Sequence, residues 1–326
     1  MNWIPCIGII SALQDFHLEK EEHYPDIVGN KHNFRITGLS FGKGEKSLCI
    51  VGNTRGNEYQ QIFICSQMVK KLKELEKTGR ILPGHEILVI PSANSYSMNI
   101  EKRFWPTDNT DINRMFPGYD LGETTQRIAG GIFEAVNGYR YGIQFTSFYM
   151  PGDFVPHARI MNTGRDYIEK AKEFGLPYIV QRQPRPYDTT TLNYNWQIWE
   201  TDAFSLYSGT TDHIDEESAE QMVRCVVNFM IQEGFVSGKG DPGYCSQVIA
   251  DTDLVPVRPY TAGLFQSGIR AGQRILKGQP LAFVTDPYDG STKEKLLSPV
   301  TGTVFFVHNH PMTYANTAVL KIVPGE

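Results

Sequence analysis

Cysteine is scarce and unpatterned in this chain. Its five cysteines, Cys6, Cys49, Cys65, Cys225 and Cys245, are odd in number and form no C-x-x-C pair. That excludes a disulfide framework or a zinc ribbon and points to reduced thiols. No block of like charge stands out either. Lys and Arg number 31 against 36 Asp and Glu, a formal net charge of −5 without a basic cluster or Arg-rich tail. No nucleic-acid partner is expected. No apolar run approaches the roughly 20 residues of a membrane span, so no membrane partner is expected. The opening stretch MNWIPCIGIISALQDFHLEK puts no basic residue ahead of its short apolar segment. It is not read as a secretory leader, and a cytoplasmic location is expected. Internal repeats and low-complexity tracts are missing too. What remains is the composition of a soluble globular protein, 40% hydrophobic and 21% charged. The 326 residues suffice for one large domain and a smaller one.

The chain is organised around residues 48–60, LCIVGNTRGNEYQ. The apolar run Leu48-Cys49-Ile50-Val51 enters a polar turn with Gly52 and Gly56, and a helical pattern starts at Glu58. This reads as a buried strand, a tight loop and a helix. In open α/β sheets such junctions lie at the carboxyl edge of the strands, where ligands bind. A second stretch, Asp111-Ile112-Asn113-Arg114-Met115-Phe116-Pro117-Gly118, lies in a long loop over residues 98–119, and loops of that length are usually functional.

The rest of the first 240 residues alternates strands with helices. Residues 7–13 read as a strand or a buried helical turn. Strands are expected around Gly42-Lys43-Gly44-Glu45 and at residues 85–91, 141–146, 178–180 and 203–207. Helices are expected from Glu58 to about Glu74 and over residues 123–136, 166–174 and 214–233. Along the first helix Ile62, Cys65, Met68, Val69 and Leu72 recur at helical spacing. Residues 151–160 read as irregular and 181–199 as a second long loop. The alternation predicts a mixed, mostly parallel sheet covered on both faces. After the turn-rich stretch at residues 238–243 the helical period stops and short strands follow one another. Two domains are expected, 1–240 and 241–326.

The two loop motifs resemble those of the succinylglutamate desuccinylase/aspartoacylase family, relatives of the zinc carboxypeptidases. The resemblance implies a zinc-carboxypeptidase-like α/β domain that hydrolyses N-acyl amino acids or similar amides through zinc-bound water. The family's first loop reads G-x-H-G-N/D-E, and its His and Glu bind zinc. Here Glu58 matches the Glu, but Arg55 stands at the His. A later D-L-H-[ST] pattern matches residues 143–146, with Phe145 at the second His; a shift of one residue would place Gln144 or Thr146 there. The catalytic Glu of T-x-E-x-G is matched by Tyr207 in Ser205-Leu206-Tyr207-Ser208-Gly209. The D-x-N-R-x-F-P-G motif is intact, so Asn113 and Arg114 are the candidate carboxylate clamp, with Arg103 a weaker match. Tyr149, Arg159, Arg185 and Tyr187 are further candidates for the same wall. The tail resembles barrel-sandwich (biotinyl/lipoyl-like) domains through Gly272-Gln273-Arg274-Ile275-Leu276-Lys277-Gly278-Gln279-Pro280 and Ser298-Pro299-Val300-Thr301-Gly302. Lys293 and Lys295 sit in a polar stretch and do not read as an acceptor lysine.

Arginine presents only donors and cannot ligate zinc. Three of the four family catalytic positions have therefore changed, and no zinc is expected. His157 could lie near the cleft, and His308-Asn309-His310 reads as an exposed pair; neither builds a convincing metal site. A vacant Glu58 should instead pair directly with Arg55, within about 4 Å. Phe145 should close the pocket and Tyr207 should reach Glu58 or a bound anion. The expected ligand is a small carboxylate, an acyl-amino acid or a peptide end. Two other readings stay open: a working deacylase with an unforeseen metal site or a metal-free mechanism, and an interaction scaffold with a vestigial cleft. Asn113 and Arg114 could also simply brace their loop.

Overall fold

The structure, a computed structural model, describes residues 36–148 and 150–325. The expectations for residues 7–13 and for Tyr149 lie outside the described residues.

The apolar runs form a central sheet. Its strands are β1 (Leu39–Gly42), β2 (Gly44–Val51), β3 (Gly84–Ile90), β4 (Tyr141–Phe145), β6 (His157–Met161), β7 (Tyr178–Arg182), β8 (Asp202–Tyr207) and β9 (Gln247–Ala250). They lie in the order β1-β3-β2-β4-β8-β6-β7-β9. Neighbours are parallel except β1–β3 and β6–β8, so the sheet is mixed and mostly parallel, as expected. Successive side chains on β2 point to opposite faces. Leu48 and Ile50 join one core with Ile64, Met68 and Leu72 of helix α1 (Tyr59–Lys77). Cys49 and Val51 join the other, with Ile132 and Phe133 of a later helix and Trp196. The helices between are α2 (Ser95–Asn99), α3 (Thr124–Val136), α4 (Ile168–Lys172), α5 (Leu192–Ile198) and α6 (Glu216–Gln232). The α1 and α6 pair covers the first face, and α3 with α5 the second.

Several local readings change. Residues 151–160 are not irregular: Gly152–Phe154 is a strand, β5, and His157–Met161 is β6. Pro151, Gly152 and Pro156 break the alternation that would have revealed them. The 181–199 segment is not one loop. It holds the end of β7, a turn at Pro186–Asp188 and α5, whose first turn is capped by the Thr191 hydroxyl. The helix expected over 166–174 shortens to α4.

The tail is all β. Its strands are β10 (Val255–Val257), β11 (Gly263–Ser267), β12 (Arg274–Ile275), β13 (Pro280–Thr285), β14 (Thr292–Leu297), β15 (Gly302–His308), β16 (Met312–Thr313) and β17 (Leu320–Pro324). One sheet runs β10-β17-β15-β12 and the other β14-β13-β11-β16, all antiparallel. Strands cross the expected division at residue 240. β5 pairs with β15 in the tail, while β9 adds to β7 in the central sheet. The seam is aromatic, with the Phe154 and Phe306 rings 4.6 Å apart and His157 4.7 Å from Phe305. His308 belongs to this seam rather than to the surface. It is buried, and its Nδ1 lies 2.9 Å from the Pro151 carbonyl; His310 is exposed as expected.

Candidate functional site

The loop between β2 and α1 is held tightly. The Gly52 N–H donates to the Ile90 carbonyl at 2.9 Å, and the Gly56 N–H to that of Arg103 at 3.0 Å. A Cβ on Gly56 would lie 2.2 Å from the Lys102 carbonyl oxygen, so only glycine lets this backbone approach its neighbour. The result places Glu58, the residue just before α1, at zero exposure.

Glu58 is surrounded by donors. Arg55 Nη1 lies 3.1 Å from its Oε1, and the Ser147 hydroxyl donates to the same oxygen at 2.6 Å. The Arg55 backbone N–H and the Thr54 hydroxyl reach Oε2 at 3.3 and 3.5 Å. Arg55 is itself shared, since its Nε donates to Asp111 Oδ2 at 2.9 Å. Burial opposes the charge on Arg55, but Asp111 and Glu58 outweigh it and raise its pKa above the usual value. The first residue of the second motif is thus tied to the first motif through one guanidinium. The expected Arg55–Glu58 ion pair is present.

The other expected residues divide. Phe145 does not line the pocket. It is fully buried in the core with Ile143, Ile64 and Met68, because strand parity sends it to the α1 face. Ser147, two residues on, is the side chain this segment brings to Glu58. Gln144 points the other way from Phe145, and its amide donates to Asn113 Oδ1 at 3.0 Å. Asn113 Oδ1 also accepts from the Leu192 N–H at 3.4 Å, so its oxygen braces its own loop against the start of α5. Arg114 turns away from Glu58. It donates to the Tyr187 carbonyl, stands over the Tyr187 ring and lies 3.6 Å from Asp188. That geometry braces the Pro186–Asp188 turn. Arg185 also reaches this turn, donating to the Tyr187 hydroxyl at 2.9 Å.

Arg103 does approach the centre. It donates to Asn57 Oδ1 at 3.3 Å and to the Phe148 carbonyl at 3.4 Å. Burial and the nearby positive charge of Arg55 lower its pKa. Tyr207 does not reach Glu58. Its ring stacks on His157 at 4.6 Å, and its hydroxyl lies 3.5 Å from Arg159 Nη1. His157 is fully buried, with Nδ1 2.9 Å from the Val155 carbonyl. Burial drives its pKa well down, and it is a neutral ring of the seam rather than a cleft ligand. Asp111 and Ser147 were not singled out as site residues from the sequence, and Gln144 was weighed there only as a register alternative to Phe145. Asp111 opens the intact motif, and Gln144, Thr146 and Ser147 are polar residues ending a buried strand; those were the available signals.

Zinc is held by thiolate, imidazole and carboxylate groups, whereas the groups on Glu58 are a guanidinium and a backbone N–H, which have no electron pair for a metal, and two hydroxyls, which are poor zinc ligands. Among the described residues no three His, Cys, Asp or Glu side chains gather closely enough to hold a metal. The residues present do not fit the zinc that the family resemblance implies.

Comparison with known proteins agrees with the motifs. An N-alpha-acetyl-L-2,4-diaminobutyric acid deacetylase from Halomonas elongata is 24% identical over 262 residues, 77% of this chain and 73% of that protein. The product-bound ectoine utilization protein EutE (DoeB) from Ruegeria pomeroyi superposes with a TM-score of 0.77 at 19% identity, covering 93% of each chain. A succinylglutamate desuccinylase/aspartoacylase from Rhodobacter sphaeroides gives 0.76 at 18% identity, covering 93% of this chain and 92% of that one. These structures share the mixed α/β fold. The model of the succinylglutamate desuccinylase/aspartoacylase catalytic domain matches residues 44–232, more than half of the 326, and the chain belongs to that family.

Proposed function

We propose that this chain is a deacylase-family protein whose cleft holds a small carboxylate ligand, an acyl-amino acid or a peptide end, without zinc-dependent hydrolysis. One observation carries the reading: the Arg55 guanidinium lies on Glu58, 3.1 Å away, at the family's metal-binding position. A guanidinium there has no empty orbital with which to activate water, and its charge is already taken up by Glu58 and Asp111. Arg103 beside it, whose acceptors are the neutral Asn57 amide and Phe148 carbonyl oxygens, is the cation left to meet a ligand's carboxylate. The second reading, a working deacylase, is favoured by the kinship to the Halomonas elongata deacetylase.

The finer architecture belongs to the same proposal. The main sheet is taken as zinc-carboxypeptidase-like, and the tail as a barrel-sandwich without a modified lysine. Lys293 is paired with Asp286 at 3.5 Å, and Lys295 lies over the Phe283 ring. Domains 1–240 and 241–326 exchange one strand each. Among the described residues no helix is long and apolar enough to cross a membrane, and a cytoplasmic location is proposed with it.

Elemental analysis of protein grown with zinc, together with a deacetylation assay on N-alpha-acetyl-2,4-diaminobutyric acid with and without chelator, tests the proposal. Substoichiometric zinc and no chelator-sensitive turnover are expected, with saturable binding of an N-acetyl amino acid. Stoichiometric zinc located in the cleft by anomalous scattering, with chelator-sensitive hydrolysis, would overturn it.

A further inference from the structure

Buried polar groups in folded proteins are almost always hydrogen-bonded. Arg159 on β6 departs from that rule. It is 5% exposed. Its Nη1 reaches the Tyr207 hydroxyl at 3.5 Å, and its guanidinium carbon stands 4.6 Å from the Tyr207 ring centre. Its Nη2 is 3.8 Å from Asp251 Oδ1, too far for a hydrogen bond. Nε and Nη2 are buried and have no hydrogen-bond partner among the described residues. A guanidinium carries five donors in a fixed fork, and leaving charged donors unpaired away from water is costly.

A second cation reaches the same aromatic seam: Phe148, under Lys321, packs on Phe154, and Phe154 packs on the Tyr207 ring that Arg159 covers. Lys321 on β17 is half-buried, and its Nζ lies 4.8 Å from the Phe148 ring centre. Burial pushes its pKa down to about 8; Asp251 raises it, while Arg159, Arg182 and Arg258 lower it further. Arg182 is already engaged with Asp188 at 2.8 Å, and Arg258 is exposed and donates to the Asn316 carbonyl at 3.1 Å. Asp251 is the acid that acts on both Arg159 and Lys321, and its oxygen lies beyond hydrogen-bond reach of Arg159 Nη2. Lys321 also borders the Glu58 centre. Ser147 holds Glu58, and the next residue, Phe148, receives Arg103 on its carbonyl and Lys321 on its ring.

We propose that Arg159 and Lys321 form a subsite for one anionic oxygen group, a carboxylate or an inorganic oxyanion such as phosphate, at the seam of β6 and β17 beside Tyr207. Where that group is the carboxylate of a cleft ligand, the subsite rests on the cleft reading above. An anion there satisfies the free guanidinium nitrogens and favours the charged form of Lys321, so binding near pH 8 takes up protons.

Calorimetry on the full chain tests this, with N-acetylglycine and inorganic phosphate as probes, at pH 6.5 and 8.0, in buffers of different ionisation heat. Expected is saturable binding with proton uptake at pH 8.0 that disappears at pH 6.5. Lys321→Met should abolish the uptake and weaken binding about tenfold or more, as for loss of a charge-assisted contact. Arg159→Lys should weaken binding less than Arg159→Met. Because Arg159 is buried and its replacement can disturb folding, Lys321→Met at its half-buried position carries the test independently. Unchanged affinity and uptake in the Lys321 and Arg159 variants overturn the subsite. If binding is then lost in Arg103→Met, the cleft reading survives without it. Phosphate binding with the expected dependence, and none by N-acetylglycine, supports the subsite and overturns the cleft reading. No binding of either probe to the wild type overturns both.

Discussion

Arg55 and Arg159 are both buried arginines, one against Glu58 and the other against Tyr207, and they are treated in opposite ways. Arg55 has a carboxylate at each end of its fork, Glu58 at 3.1 Å and Asp111 at 2.9 Å. Arg159 has one acid at 3.8 Å and two buried nitrogens without hydrogen bonds. A buried ion pair with good geometry is self-contained, and removing one partner strands the other. An incompletely paired cation leaves donors available to something else. The first arrangement satisfies the buried Glu58 carboxylate from within the chain; the second marks where a ligand's charge is wanted.

The sharpest way to break this comparison is Arg55→Met. Glu58 would keep its hydroxyl partners but lose its cation, and an unfolding free energy lower by about 3–5 kcal/mol is expected from urea titration. Glu58→Gln in the same chain should recover part of that loss, since no buried charge is then stranded. A loss below about 1 kcal/mol would mean that the pair is no more than a surface-type contact.

Next in size is a pair of histidine substitutions. Phe145→His puts an imidazole into a fully buried core position and should cost about 3 kcal/mol. Ser147→His combined with Arg55→His places two imidazoles beside Glu58 instead. That variant should bind zinc more tightly than either the parent or the Arg55→His, Phe145→His variant, read by calorimetry. Equal zinc affinity in the two double variants would refute the assignment of Ser147 to the site.

A smaller effect depends on pH. Lys321 is held at about 8, against about 10.4 for a free lysine. Between those values the unfolded chain binds more protons than the folded one. The destabilisation is therefore complete below about pH 8 and is relieved as pH rises toward about 10. Lys321→Met should remove this rise, measured as the difference in thermal midpoint between the two proteins across that window. Parallel pH profiles would sink the idea. The least effect is expected from Arg114→Ala. Its side chain is 35% exposed and braces the Tyr187–Asp188 turn, so the loss should be about 1 kcal/mol or less. A large loss of carboxylate affinity without loss of stability would return Arg114 to the clamp.

What could be read directly was local. The run at residues 48–51, the glycines after it and the helical period beyond Glu58 defined a strand, a loop and a helix, because strand and helix periodicities are written within a few residues. The Arg55–Glu58 pair was legible for the same reason: three residues apart in one tight loop, they had little room to separate. The intact second motif was legible as a functional loop. The choice between clamp and brace for Asn113 and Arg114 was left open, since the Tyr187–Asp188 turn that holds Arg114 comes from a segment read as one long loop, residues 181–199.

The sequence by itself determined the alternation of elements, the family kinship and the placing of Arg55 three residues before Glu58 in one tight loop. Tertiary structure alone decided which residue after β4 faces Glu58. A one-residue change of register exchanges the two sides of a strand, and only packing against α1 chooses between them. It also decided that β6 runs antiparallel to β8, which sets His157 opposite Tyr207 and Arg159 opposite Ser205. And it alone brought Lys321, from the far end of the chain, over Phe148 and near Arg159. No periodicity records such an encounter, because charges meet across a seam through the way two sheets pack, and the residues between them leave no local trace of it.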